Sequence, residues 1–316
     1  MGVQRDQHTS PLSETIPIVD LSNPDEQVSH AVVKASQDWG IFHVVNHGIS
    51  MDLIRRLKEV GTQFFELPET EKKAVAKLDT SQDFEGYTRN LKYTEDEVWA
   101  DNLFHRIWPP SCINYNYWPK TLLNTGPYDE SLGCRWLEVI EEYTEERKKL
   151  SERLLGVLSK GLGLRHEALK EGLGGEKTEY LLRINNFPPN PQPDATLGLP
   201  EHTDIIAMAL IVTNEVPGLQ VFNNDHWFDV QYVPSSITVT IGDQILRLSN
   251  GKYKNVLHRV TVDKEKQRMS WPVFVDANPD AVIRPLPELI TDCTPMFKPI
   301  ICKDFKFRRL FKLPVD

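Results

Sequence analysis

The 316-residue chain carries 36 Lys and Arg against 45 Asp and Glu, a formal net charge of −9. That balance argues against nucleic acid or an anionic membrane as the main partner. No apolar run approaches the roughly 18 residues a membrane span needs, and the length suits one large domain, or two merged ones, with a substantial core.

The opening stretch, "MGVQRDQHTSPLSETIP", is polar and lacks the apolar segment of a secretory signal. Asp6 stands where a myristoylation pattern needs Ser or Thr. Cys112, Cys134, Cys293 and Cys302 are scattered, with no CxxC. They point to reduced thiols in a cytosolic protein, and they leave any metal to histidine and carboxylate ligands.

"IPIVDL" (16–21) reads as a short strand, and "SNPDE" as a turn and helix start. Residues 26–39 place Val28, Ala31, Val32, Ala35 and Trp39 on one helical face. "WGIFHVVNHGIS" reads as a strand bounded by Gly40 and Gly48, with His43 and His47 on one face; a structural role is favoured, since no third ligand candidate is near. A second helix is expected over 52–65, with Leu53, Leu57, Val60 and Phe64 inward. Residues 66–133 read as irregular, and the aromatic "LFHRIWPPSCINYNYWP" is expected around an opening of the core. A long helix over 135–162 follows, its "EEYTEERKK" face solvated.

From 178 to 274 the pattern changes to short strands between turn residues: "EYLLRINNF", "IIAMALIVT", "SSITVTIGD", "NVLHRVTVD" and "QRMSWPVFVD". "GLQVFNNDHWFDV" predicts a hairpin turning at Asn223-Asn224-Asp225. Such a series suggests an antiparallel sandwich or jelly roll. The basic, aromatic C-terminus, "MFKPIICKDFKFRRLFKLPVD", reads as a helix or lid packed back on that core.

Within this series, "LPEHTDIIAM" places His202 and Asp204 one residue apart in an otherwise apolar run. On a strand the two share a face. A metal-chelating pair and a satisfied structural pair fit these residues equally. His258, flanked by apolar residues in "NVLHRVTV", offers a third ligand from another strand. Two histidines and a carboxylate are the facial set of non-haem Fe(II) oxygenases. Zinc uses the same set, but zinc hydrolases usually add a general base, and none is evident. Ten residues beyond His258, Arg268 and Ser270 share a strand face. A guanidinium fork with a neighbouring hydroxyl suits the far carboxylate of a dicarboxylic co-substrate such as 2-oxoglutarate. HxD, a histidine 54 residues on and then RxS form a specific constellation.

With these residues in place the chain resembles the plant 2-oxoglutarate/Fe(II)-dependent dioxygenases, in particular flavonol synthases and the related anthocyanidin synthases. The similarity runs through "IPIVDLSNPDE", "WGIFHVVNHGI", "FFELPETEK", "LFHRIWPPSCINY", "VPGLQVF" and "IGDQILRLSNGKYKNVLHRVTVDKEKQRMSWPVF". It implies a mostly β core, a distorted double-stranded β-helix (jelly roll), with an N-terminal helical extension and a C-terminal lid. The boundaries expected are 1–172 for the helical region, 173–276 for the core and 277–316 for the lid.

The resemblance also implies Fe(II) on His202, Asp204 and His258, and 2-oxoglutarate held by Arg268 and Ser270, with O2 as co-substrate and ascorbate as reductant. "NYYPPCPRPD" of the family stands here as "NNFPPNPQPD": Asn185 matches, and Phe187 replaces a tyrosine that helps hold the co-substrate. The flavonoid pocket maps to Asn102, Phe104, Arg183, Phe274 and Asp276. Phe104 and Phe274 keep the pattern; Asn102, Arg183 and Asp276 replace histidine, lysine and glutamate. "KTLLNTGPYDESLGCRWLEVI" looks longer than family usage. The implied activity is hydroxylation or desaturation of a small metabolite, a dihydroflavonol first, by a cytoplasmic monomer with neither nucleic acid nor membrane as partner. The alternatives are a steroid, terpenoid or alkaloid substrate, and a small-molecule binder with little or no turnover.

Overall fold

Runs of apolar residues become strands here because most of them are covered on both sides. In the structure, a computed structural model, residues 15–77, 84–91, 98–119, 136–193, 196–290 and 294–316 are described. The chain opens with β1 (Ile18–Asp20), α1 (Asp25–Asp38) and β2 (Ile41–Val45). Next come α2 (Met51–Glu66), α3 (Glu69–Ala74), β3 (Gly86–Leu91) and β4 (Trp99–Trp108). The long helix is α4 (Trp136–Gly161), followed by the short α5 (Ala168–Gly172). Then follow β5 (Glu179–Phe187), β6 (Leu197–His202), β7 (Met208–Thr213), β8 (Leu219–Asn223), β9 (His226–Asp229) and β10 (Ile237–Ile241). α6 (Asp243–Leu248), β11 (Leu257–Thr261), β12 (Arg268–Asp276) and α7 (Cys302–Leu310) lead to the C-terminus.

The strands form a large sheet in the order β1-β2-β10-β7-β12-β5-β4-β3 and a small one in the order β6-β11-β8-β9. One face of the large sheet supplies Phe42, Val44, Leu182, Ile184, Leu210, Val212, Val239, Val273 and Val275 to a core shared with the helices. Leu53, Leu57 and Phe64 of α2 and Val139, Leu150 and Leu154 of α4 join the same core. Alternation sends the other face toward the small sheet. Here Ile41 and Phe187 meet Leu219, Val221 and Val260 in a second core. This is the expected mostly β, jelly-roll architecture, with helices contributed by the N-terminal half and a C-terminal helix. The large sheet draws β1 to β4 from before residue 172 and β5, β7, β10 and β12 from after it.

Several local expectations are corrected. Residues 66–133 are not all irregular: β3 and β4 pair in register from Gly86↔Phe104 to Leu91↔Trp99 and extend the large sheet. β4 showed no alternation because residues on both of its faces are buried, Asn102 and Leu103 among them. "WGIFHVVNHGIS" is a strand only to Val45; Asn46 adopts φ +52° and turns the chain, so His47 does not share a strand face with His43. Their structural reading stands, since His43 bonds Thr238 Oγ1 at 3.1 Å and His47 Nδ1 accepts from Ile49 N at 3.1 Å. "DQILRL", not assigned from sequence, is α6.

The hairpin turns at Asn224 and Asp225, both at positive φ (47° and 64°), between β8 and β9. Cys112 is exposed and Cys302 buried, both free thiols. Cys134, Cys293, most of the unusual segment before α4 and the leader reading at residues 1–14 lie outside the described residues. Among those described, no helix is long and apolar enough to cross a membrane.

Candidate metal centre

β6 ends at His202, so Asp204 lies in the loop that leads to β7 rather than on the strand. Residues 202–205 are half-buried, and burial begins only at Ile206 and Ala207. The side chains still converge. Antiparallel pairing sets His258 of β11 directly opposite His202, their ring centroids 4.2 Å apart. Asp204 Oδ1 lies 3.8 Å from each Nε2, and one ligand atom from each of the three residues falls within 4.8 Å of the others.

Each imidazole is oriented by its own backbone. His202 Nδ1 faces Pro200 O at 2.8 Å, and His258 Nδ1 faces Val256 O at 3.0 Å. A carbonyl can only accept, so Nδ1 carries the proton and Nε2 presents a lone pair. Thr240 of the large sheet donates to Asp204 Oδ2 at 3.2 Å, fixing the carboxylate. Burial, with His258 beside it, holds the His202 imidazole below its ordinary value, which favours the neutral form a metal requires. A donor set of two neutral imidazoles and one oriented carboxylate fits Fe(II), with positions left for other ligands.

Across from the triad, the face of the large sheet turned toward the small sheet is polar where its opposite face is apolar. Ser270 pairs with Asn185 and Arg268 with Phe187 in register. Asn185 Nδ2 donates to Ser270 Oγ at 3.1 Å. Arg268 is buried, its guanidinium 5.3 Å from the Phe187 ring centroid, and burial pushes it down to about 10. Gly218 gives it room: at φ +146°, a Cβ there would come within 3.0 Å of Arg268 Cδ. Among the described residues, Arg268 Nε and Asn185 Oδ1 are buried without a hydrogen-bond partner. A desolvated cation with an unmade bond fits an anionic ligand that completes it. These residues therefore suit the far carboxylate of 2-oxoglutarate. Phe187 is 1% exposed and sits over Gly198, where a Cβ would meet its ring at 2.7 Å. It supports Arg268 by packing and offers no hydroxyl.

The expected substrate set divides. Asn102 lies opposite Asn185, and Phe104 opposite Arg183, on the same face as Ser270 and Phe274. The Phe104 and Phe274 rings are 6.2 Å apart. Arg183 is half-buried, its Nε buried and unpartnered among the described residues; burial lowers it to about 10, with Asp204 close enough to oppose that shift. Asp276 differs from the other four. It is fully buried, and its two oxygens accept from Gln244 Nε2, at 2.7 Å, and from Lys306 Nζ of α7.

Sequence reasoning missed Thr240, Asp243, Gln244 and Arg309, all of which touch the triad's loop or its carboxylate. Asp243 N donates to Asp204 O at 2.8 Å, Gln244 Nε2 to Ile205 O at 3.0 Å, and Arg309 Nη2 to Thr203 Oγ1 at 2.7 Å. Their only signal was the "IGDQILRLSNGKYK" block of the family resemblance, which covers Asp243 and Gln244; Thr240 immediately precedes it.

Comparison with known proteins agrees with this geometry. Residues 178–277 match the model of the 2OG-Fe(II) oxygenase superfamily, and residues 16–121 that of the non-haem dioxygenase N-terminal region. The chain is 59% identical over 305 residues to flavonol synthase/flavanone 3-hydroxylase of Arabidopsis thaliana, covering 95% of this chain and 88% of that one. It is 69% identical over 250 residues to the Arabidopsis thaliana protein "Putative inactive flavonol synthase 2", covering 78% and 96%. Among solved structures, JOX2 in complex with 2OG, Fe and JA superposes with a TM-score of 0.82 at 35% identity, covering 94% of this chain and 85% of that one.

Proposed function

The chain belongs to the 2OG-Fe(II) oxygenase superfamily, an enzyme family of 2-oxoglutarate- and Fe(II)-dependent dioxygenases, and from that premise we propose that it oxidises a flavonoid of the dihydroflavonol type. The observation that carries this is the pairing of His202, Asp204 and His258, within 4.8 Å, with a buried Arg268 and Ser270 on the facing sheet. The flavonol synthase relatives favour a flavonoid over a steroid, terpenoid or alkaloid.

In this proposal His202, Asp204 and His258 hold Fe(II), and Arg268 with Ser270 holds 2-oxoglutarate. When bound, the two supply O2-dependent oxidation, in which 2-oxoglutarate becomes succinate and CO2 and a substrate C–H is hydroxylated or desaturated. The protein's own residues do the positioning. Pro200 and Val256 carbonyls keep the Nδ1 protons, so that both Nε2 atoms stay available. Thr240 restrains one carboxylate oxygen of Asp204 and leaves the other toward the histidines. Arg268, itself buried, neutralises the far carboxylate, and Asn185 sets the Ser270 hydroxyl.

Phe104 and Phe274 form an aromatic pair suited to a flat ring system, beside the Arg183 guanidinium and Asn102. Asp276, with both oxygens engaged, acts here by fixing α7. Ascorbate as reductant, a monomeric state and a cytoplasmic location complete the proposal. The test is mass spectrometry of the products from a dihydroflavonol with Fe(II), ascorbate and 2-oxoglutarate. A flavonol formed in step with succinate is expected; a panel of other metabolites turned over while dihydroflavonols are not would overturn the substrate assignment.

A further inference from the structure

We propose that Arg309, on the C-terminal helix, is a positioning residue for the metal-ligand loop, acting on His202 and Asp204 through Thr203. The inference rests on the reading that His202, Asp204 and His258 hold a divalent metal.

The loop after β6 has lost the support of a strand ladder, and it is rebuilt from α6 and the turn before it. Asp204 O accepts from Asp243 N at 2.8 Å, Ile205 O from Gln244 Nε2 at 3.0 Å, and Ile206 O from Gln244 N at 3.2 Å. Backbone approaches backbone so closely that a Cβ on Gly242 would sit 2.1 Å from Ile206 O and 3.0 Å from Asp204 O. These contacts hold residues 204–206. Thr203, the residue between the two ligands, is held through its side chain, whose hydroxyl accepts from Arg309 Nη2 at 2.7 Å.

The same Nη2 lies 2.8 Å from Asp243 Oδ2, and Asn255 Nδ2 donates to the other oxygen, Oδ1, at 2.6 Å. One guanidinium nitrogen thus ties Thr203 to the residue whose backbone N–H holds Asp204. The tie is supported because the first half of α7 is anchored, while residues 307–310 are exposed. Cys302 and Phe305 are buried at 0% and 1% exposure, and Lys306 reaches the buried Asp276. Asp276 in turn bonds Gln244, which also holds the loop, so α7 and α6 grip it from two directions. Arg309 is itself exposed, and such an ion pair adds little to global stability. Its effect belongs in ligand orientation, where loss of outer contacts typically weakens metal binding about 10- to 100-fold.

The experiment is anaerobic titration of the full-length protein with Co(II), followed by its visible absorption and by calorimetry, for wild type, R309Q, R309K and T203V. Expected are about tenfold weaker Co(II) binding and an altered visible band for R309Q, a smaller loss for T203V, and substantial recovery in R309K. Far-UV circular dichroism and the metal-free melting temperature should stay near wild type. If R309Q does not fold, T203V decides alone, because it removes only the acceptor hydroxyl. Wild-type affinity and an unchanged band in R309Q, or in T203V where that variant decides, would overturn the positioning role. Failure of the wild type to bind Co(II) would overturn the metal reading and the inference with it.

Discussion

Thr240 of the large sheet reaches Asp204 in the loop after β6: the threonine hydroxyl of β10 donates to Asp204 Oδ2 at 3.2 Å, on the far side of the carboxylate from both histidines. One hydrogen bond therefore decides which oxygen faces the imidazoles. T240V keeps the volume and removes the donor. The expected outcome is about tenfold weaker Fe(II) or Co(II) binding, measured by titration, with the fold intact by circular dichroism. Unchanged affinity would show that Asp204 is oriented by its backbone alone.

Phe187 lies under the Arg268 guanidinium, where a tyrosine hydroxyl would add a polar contact to the co-substrate site. One such hydrogen bond contributes about 0.5–1.5 kcal/mol. F187Y should lower KM for 2-oxoglutarate about three- to tenfold and leave KM for the organic substrate unchanged. Steady-state kinetics with each varied in turn checks this, and an unchanged or raised 2-oxoglutarate KM counts against it.

His105 is fully buried between Trp118, with ring centroids 4.8 Å apart, and Trp136 at 6.1 Å, and neither ring nitrogen has a partner among the described residues. Burial pushes its imidazole down to about 3, and that of His43 to about 4. In the unfolded chain a histidine titrates near 6.5, so the unfolded state binds more protons below that pH. Stability is fully present above about pH 6.5 and declines as pH falls toward the folded values. At pH 5 the difference amounts to about 2 kcal/mol per such histidine. H105F should therefore lose about 2 kcal/mol less than wild type between pH 7 and pH 5 in urea unfolding. Equal losses would place the acid sensitivity elsewhere, His43 being the next candidate.

The residues that do the proposed chemistry were legible because their order along the chain is specific: HTD, a distant histidine and RMS need no knowledge of the fold to be picked out. Their placement was less legible. Asp204 shares a face with His202 through a held loop, not through strand alternation, because β6 stops at His202. β4 was lost among aromatics because burial of both faces erases the period-2 signal. Thr240 and Arg309 were beyond reach for another reason. They meet the HTD segment across 36 and 106 residues of chain, contacts that only folding creates. Asp276 shows the reverse case: its position suggested a substrate contact, and Lys306, thirty residues on, engages it instead.

In the proposed function, His202, Asp204 and His258 form one metal site that drives 2-oxoglutarate turnover. Its most direct measurement is succinate released from 2-oxoglutarate in the presence of a dihydroflavonol, Fe(II) and O2, for wild type, D204A and H258A. Substrate-coupled succinate from the wild type, and its loss to background in both variants, is the predicted result. Coupled succinate that persists in D204A or H258A, or a wild type that produces none, would contradict it.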